Sequence, residues 1–288
     1  MSHNPIIVTR HLSHIYLSGQ FQKKALHDIN LEIAQGSCVA IVGVNGSGKT
    51  TLVQHFNGLL RPTEGTVLVD GIDVSAKGVD LRALRQRVGM LFQLPETQLF
   101  GRTVFEDVAF GPRRMHLSRR EVRSRVIGAL ETVGLPHRDY ALRSPYDLSG
   151  GQRRRVALAG VLAMLPEVLV LDEVSMGLDG EGRAEFYSYL RRIREERGVT
   201  IILVSHDMTE VAAMVDWVFV LYDGQLVMQG TPRSVFAGGE QLHTWGLAVP
   251  PLSQLLMLLR KQGVAIPEGT LTIDEAFACL AGNVNRGR

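Results

Sequence analysis

The chain has 288 residues, 45% apolar and 21% charged, enough for one large domain with an appendage or for two domains, and too apolar for a disordered chain. Its net charge of +2 is too small to argue for a nucleic-acid partner. The two cysteines, Cys38 and Cys279, are far apart and lack CxxC spacing, which argues against a disulfide framework or zinc site and for a reducing, cytoplasmic setting.

Residues 1–10 lack the apolar core of a signal peptide. No uninterrupted apolar run reaches the ~18 residues that a membrane span needs, and the longest candidate, residues 161–171, is broken by Pro166 and Glu167. A role at a membrane would therefore require a partner. Residues 6–16 and 25–33 alternate in strand fashion, and residues 38–42 form a short apolar run ending in a glycine-rich turn, as suits a buried strand. A helix is expected over 51–60, then strand, Asp-Gly turn and strand over 65–74.

From about Pro95 to Asp147 the chain is Arg-rich and helical in period, with a capping box at Ser118 and Glu121. Helix signals then alternate with apolar strands at 168–171 and 200–204, which predicts an α/β fold with a mainly parallel sheet. Residues 217–222, Asp223-Gly224 and 225–229 form an expected hairpin. Composition changes again past Ala237. Pro250 and Pro251 precede a Leu-rich helix over 252–259, and Thr272 with Glu275 caps a further helix that Gly282 could stop. The expected division is residues 1–237 as one domain, with a helical subdomain at about 95–147, and residues 238–288 as a separate module.

Three motifs carry the chemistry. Gly43 and Gly48-Lys49-Thr50 fit G-x-x-x-x-G-K-[ST] between a strand and a helix. In such a loop the backbone N–H groups of Gly43, Asn45, Gly46, Ser47, Gly48 and the first helical residues, through Thr51, turn onto a phosphate chain. The helix N-terminus adds partial positive charge. Lys49 would reach the terminal phosphates, and the Thr50 hydroxyl would reach Mg²⁺. The second motif is an apolar strand ending in Asp172-Glu173. Beside a phosphate loop, Asp172 suits the metal and Glu173 suits a general base that polarises the attacking water. The third is Leu148-Ser149-Gly150-Gly151-Gln152, opening a helix over 153–164. Ser149 and the two glycines offer a second anion-binding helix start. The chain already has one for its own phosphates, so this one suits ATP held by another chain.

In this order the motifs resemble those of the ATP-binding-cassette (ABC) ATPases, and the resemblance implies further positions. The implied fold is the P-loop ABC cassette: a parallel core, an antiparallel β subdomain and a helical subdomain. Gln93 matches a glutamine that contacts Mg²⁺ or water and senses the transmembrane partner. Ser149, Gly150, Gly151 and Gln152 match the signature that completes the opposite chain's site. Gly177, Leu178 and Asp179 match the loop joining the two sites. His206 matches a γ-phosphate contact, and Tyr16 an aromatic residue that stacks on adenine.

Gln54 to Thr63, Phe92 to Phe100 and Thr103 to Pro112 are similar to one branch, the ATPases of energy-coupling-factor (ECF) importers. That likeness implies ATP and Mg²⁺ as ligands and a second ATPase, identical or paralogous. It also implies a transmembrane coupling subunit docking near Gln98-Leu99-Phe100, and a membrane protein that captures a vitamin or a transition-metal ion. The chain would sit on the cytoplasmic face of the membrane, its C-terminal module joining the ATPase pair. One departure stands out: after Glu173 the family usually has proline, whereas this chain has Val174, Ser175 and Met176, which leaves the turn less restricted. Arg153 is expected in a solvated charge run. Two other readings are an ATPase of another ABC transporter class and a soluble ABC ATPase acting on nucleic acid. Balanced charge and the lack of aromatic residues among the Arg clusters argue against nucleic acid.

Overall fold

The computed structural model describes residues 4–19, 21–267 and 269–286. Alternating apolar residues shape the N-terminal strands. β1 (Pro5–Ser18) and β2 (Phe21–Ala34) pair antiparallel, burying Ile7, Leu12, Leu26, Ile29 and Ile33 on one face. β3 (Cys38–Val42) is buried at every position, as expected of a strand covered on both faces. α1 (Lys49–Phe56), β4 (Glu64–Val69), β5 (Ile72–Asp73), α2 (Leu81–Arg87) and β6 (Val88–Leu91) follow. α1 is shorter than its sequence suggests. Gly58 turns left-handed at φ +66°, and a Cβ there would meet Leu81 Cδ2 at 2.8 Å, so the chain leaves the helix at Asn57.

A helical region comes next: α3 (Val104–Val108), α4 (Phe110–Arg114), α5 (Arg119–Thr132) and α6 (His137–Tyr140). The expected box at Ser118 and Glu121 caps α5. α7 (Gly150–Leu162) packs against α3 and α5. It begins three residues earlier than expected because Ser149 is the N-cap and Gln152 closes a reciprocal capping box.

The remaining elements are β7 (Val168–Asp172), α8 (Gly180–Arg197), β8 (Thr200–Val204), α9 (Met208–Met214), β9 (Trp217–Tyr222) and β10 (Gln225–Gly230), then α10 (Pro232–Ala237), α11 (Gly239–Thr244), α12 (Pro251–Lys261) and α13 (Ile273–Arg286). The expected capping bonds between Thr272 and Glu275 are present. α13 runs through Gly282; a glycine permits a left-handed stop but does not impose one.

Two sheets result. β2-β1-β4-β5 is antiparallel, and β10-β9-β3-β8-β7-β6 is parallel except for β10. Alternation along the parallel strands divides the core. Ala40, Leu171 and Leu203 face the cluster built with α5, α7 and α8. Ile41, Val170 and Ile202 face the cluster built with α1 and the antiparallel sheet. Packing changes later than composition does: Phe236, Leu242 and Val249 still belong to the main core, whereas Leu256, Ile266 and Ala276 form a small third cluster.

Candidate functional site

β3 delivers the chain into the phosphate loop, and packing there leaves little freedom. A Cβ on Gly43 would approach Leu221 O to 2.3 Å, and one on Gly48 would approach Ala25 O to 2.7 Å. Gly48 also sits at φ +101° as the N-cap of α1, a conformation that glycine adopts without steric cost. Lys49 is buried. Its Nζ donates to Gly43 O at 2.9 Å and Val44 O at 3.1 Å and lies 3.9 Å from Glu173 Oε1. Burial pushes the ammonium pKa down, and Glu173 and Asp172 oppose that shift.

β7 ends in the two carboxylates. Asp172 is buried. Burial raises its pKa, while a hydrogen bond from Thr50 favours the ionised form. Its Oδ1 has no hydrogen-bond partner among the described residues. Glu173 takes the left-handed φ of +51°, which costs about 1–3 kcal/mol in a non-glycine residue. Its N–H donates to Val204 O at 3.0 Å, and its Oε1 lies 3.8 Å from His206 Nδ1. Glu173 thus stands between Lys49 and His206.

Lys49, Glu173 and His206 border a cavity of about 810 Å³. It brings together Tyr16, Gly43, Asn45, Gly46, Gly48, Lys49, Thr50, Thr51, Gln93, Glu173 and His206. Tyr16 is 41% exposed, and its OH lies 3.2 Å from Thr51 Oγ1. Ser47 and Asp172 are buried and lie off the cavity lining. Gln93 is exposed, with Nε2 4.0 Å from Met176 Sδ. Gly246, Leu247 and Ala248 also line the cavity. They form a turn without a motif, so the sequence offers no signal for them.

The signature residues lie elsewhere. Ser149, Gly150, Gly151 and Gln152 are outside the cavity lining. Ser149 Oγ accepts from Gln152 N at 3.2 Å, and Gln152 Oε1 accepts from Ser149 N at 3.0 Å. Nothing lies within 4 Å of where a Cβ on either glycine would stand, so this helix start is open to a ligand from outside. The arginines that follow are not a free basic face. Arg153 is half-buried rather than solvated. Arg154 is buried and pairs with Glu96 at 3.2 Å. Arg155 pairs with Glu185 at 3.1 Å.

A second, apolar groove of about 550 Å³ includes Gln98, Leu99, Phe100, Phe110, Val161 and Met164 in its lining. Phe100 and Phe110 stack edge to face with centroids 4.9 Å apart. Asp107 Oδ2 shapes the approach by accepting from Phe100 N at 2.9 Å and Gly101 N at 2.6 Å.

Residues 26–176 match the ABC transporter family. The chain is 53% identical over 279 residues to the energy-coupling factor transporter ATP-binding protein EcfA2 of Symbiobacterium thermophilum, covering 96% of each chain. It resembles the structure of cbiO1 from Clostridium perfringens, part of the ABC transporter complex cbiONQ. That match has 40% identity and a TM-score of 0.74, over 88% of this chain and 99% of the other. It also resembles the dimeric post-hydrolysis structure of the ATP-binding cassette MJ0796 bound to ADP and Pi, with 30% identity and a TM-score of 0.71. There the match covers 79% of this chain and 99% of that one.

Proposed function

The chain belongs to the ABC transporter family and, within it, to the energy-coupling-factor transporter ATP-binding proteins, and from that premise we propose how it spends ATP. It is an ATPase coupled to transport. Two such chains, identical or paralogous, face each other, and each ATP is held between the phosphate loop of one chain and the signature of the other. The observation that carries this reading is the separation of Ser149–Gln152 from the chain's own phosphate-loop cavity.

Lys49 and the loop N–H groups bind and orient the phosphates, and Tyr16 supports the adenine ring. Glu173 takes the proton of the attacking water, and His206 steadies the γ-phosphate. Asp172 and Thr50, with Gln93 at the rim, would hold Mg²⁺; the unpartnered buried Oδ1 of Asp172 beside a hydroxyl suits a hard, oxygen-seeking cation. The ion would neutralise charge on the β- and γ-phosphates. The opposite chain's Ser149, Gly150 and Gly151 close the site and exclude bulk water, leaving the attacking water inside.

No described helix is long and apolar enough to cross a membrane. The chain works on the cytoplasmic face, beneath a coupling subunit whose helices enter the groove at Gln98–Phe100. A membrane capture subunit supplies a vitamin or a transition-metal ion. Residues 238–288 join the ATPase pair. In the assembled transporter, Glu173→Gln should bind ATP within about twofold of the native affinity and lose turnover by about 10²–10⁴. Hydrolysis at the native rate would remove Glu173 from the base role.

A further inference from the structure

Behind Glu173 and His206, the segments that carry them converge on one buried carboxylate. Glu210, on α9, is 7% exposed; a buried glutamate requires compensating partners. Its Oε2 accepts from Ser175 Oγ at 3.1 Å, from Ser205 Oγ at 3.2 Å and from the Tyr187 hydroxyl. Its Oε1 lies 3.2 Å from Arg183 Nη1. The same guanidinium donates to Asp207 Oδ2 at 2.6 Å and to Leu178 O at 3.2 Å. Burial, and then the Glu210 carboxylate itself, push the Tyr187 phenol well above its ordinary pKa, so it remains a donor.

The placement of these partners is informative. Ser175 is two residues past Glu173, and Ser205 immediately precedes His206. Leu178 belongs to the loop that follows Glu173. Glu173 is held left-handed without a proline after it, since Val174 stands there. The turn is anchored by the Val204 carbonyl, by local bonds from Met176 N to Glu173 O and Leu178 N to Ser175 O, by burial of Val174 in the main core, and, from the side chain, by the Ser175 bond with Glu210. Glu210 lies outside the nucleotide cavity and instead lines a neighbouring cavity of about 400 Å³ with Ser175 and His206, which places it beside the reacting groups rather than among them.

We propose that Glu210 is a positioning residue for ATP hydrolysis, using Ser175 and Ser205 to hold the turn after Glu173 in fixed relation to the segment bearing His206. The proposal rests on the reading of Glu173 as base and His206 as phosphate contact. Misplacing a base by a fraction of an ångström leaves nucleotide binding intact and slows the chemical step.

The test compares Glu210→Gln, Ser175→Ala, Ser175→Thr and the double variant Glu210→Gln/Ser175→Ala in the assembled transporter. Affinity is read with a fluorescent ATP analogue and kcat by phosphate release. Glu210→Gln and Ser175→Ala should keep affinity within about twofold and lower kcat roughly tenfold or more. The double variant should lose less than the product of the two single effects, because both changes act on the Ser175–Glu210 contact, which glutamine weakens by removing the charge and Ser175→Ala deletes. Ser175→Thr, which keeps the hydroxyl, should restore kcat. If Glu210→Gln does not fold, the half-buried Ser175 pair carries the test alone. Native kcat in Ser175→Ala, or affinity and kcat falling together, overturns the proposal. Glu173→Gln is measured in parallel. If it is inactive while Glu210→Gln and Ser175→Ala are native, the positioning role alone fails; if it turns over normally, the base assignment fails and the proposal with it.

Discussion

Lys49 is held by carbonyls at 2.9 and 3.1 Å, so its ammonium is aimed before nucleotide arrives. Removing it with Lys49→Ala should weaken ATP binding roughly 10- to 150-fold, the loss of about 1.5–3 kcal/mol for a charged hydrogen bond; nucleotide titration of the purified protein checks this. His55 supplies a pH prediction. Its Nδ1 lies 2.7 Å from Thr51 O and its Nε2 3.1 Å from His14 Nδ1. Donation to Thr51 and acceptance from His14 need the neutral ring. Burial lowers its pKa to about 4 from 6.5. The folded value lies below the unfolded one, so this stabilisation is complete above about pH 6.5 and is lost as pH falls toward 4. It amounts to about 3 kcal/mol. Urea unfolding across that window should show a shallower acid loss in His55→Gln than in the native chain.

At the scale of elements, strand-and-turn geometry carries most of what the sequence makes legible. The phosphate loop can be read because Gly43 and Gly48 sit where a Cβ would strike backbone, so spacing and structure are one constraint. The capping boxes at Ser118 and Thr272 can be read because each bond is local; the equally local box at Ser149 and Gln152 is a finding of the structure, since the expected helix starts only at 153. What cannot be read is non-local. Glu96 pairs with Arg154 across 58 residues, and Gly246 to Ala248 reach the nucleotide cavity from far along the chain. Glu210 belongs to this class, since its hydroxyl donors come from separate segments. The apolar groove at Phe100 and Phe110 yields a prediction at this scale. Phe100→Asp, 61% exposed in the native chain, should leave the nucleotide site folded while reducing co-purification of the membrane subunits. Unchanged recovery of those subunits would argue against docking there.

At the scale of the molecule, the parallel sheet sets Lys49, Glu173 and His206 at adjacent strand ends, while α7 presents the signature away from that cavity. On the proposed reading, such a chain holds half of two sites. The C-terminal helices leave Leu255, Leu258, Ile273 and Phe277 exposed at 52%, 61%, 76% and 73%, apolar surface that suits the proposed joining of a second ATPase. The measurement that tests this arrangement most directly is Ser149→Arg, comparing nucleotide affinity with ATP turnover in the assembled transporter. Affinity at the variant chain's own phosphate loop should stay within about twofold, while turnover should fall at least tenfold because the facing site can no longer close. Native turnover with Ser149→Arg would contradict the shared site.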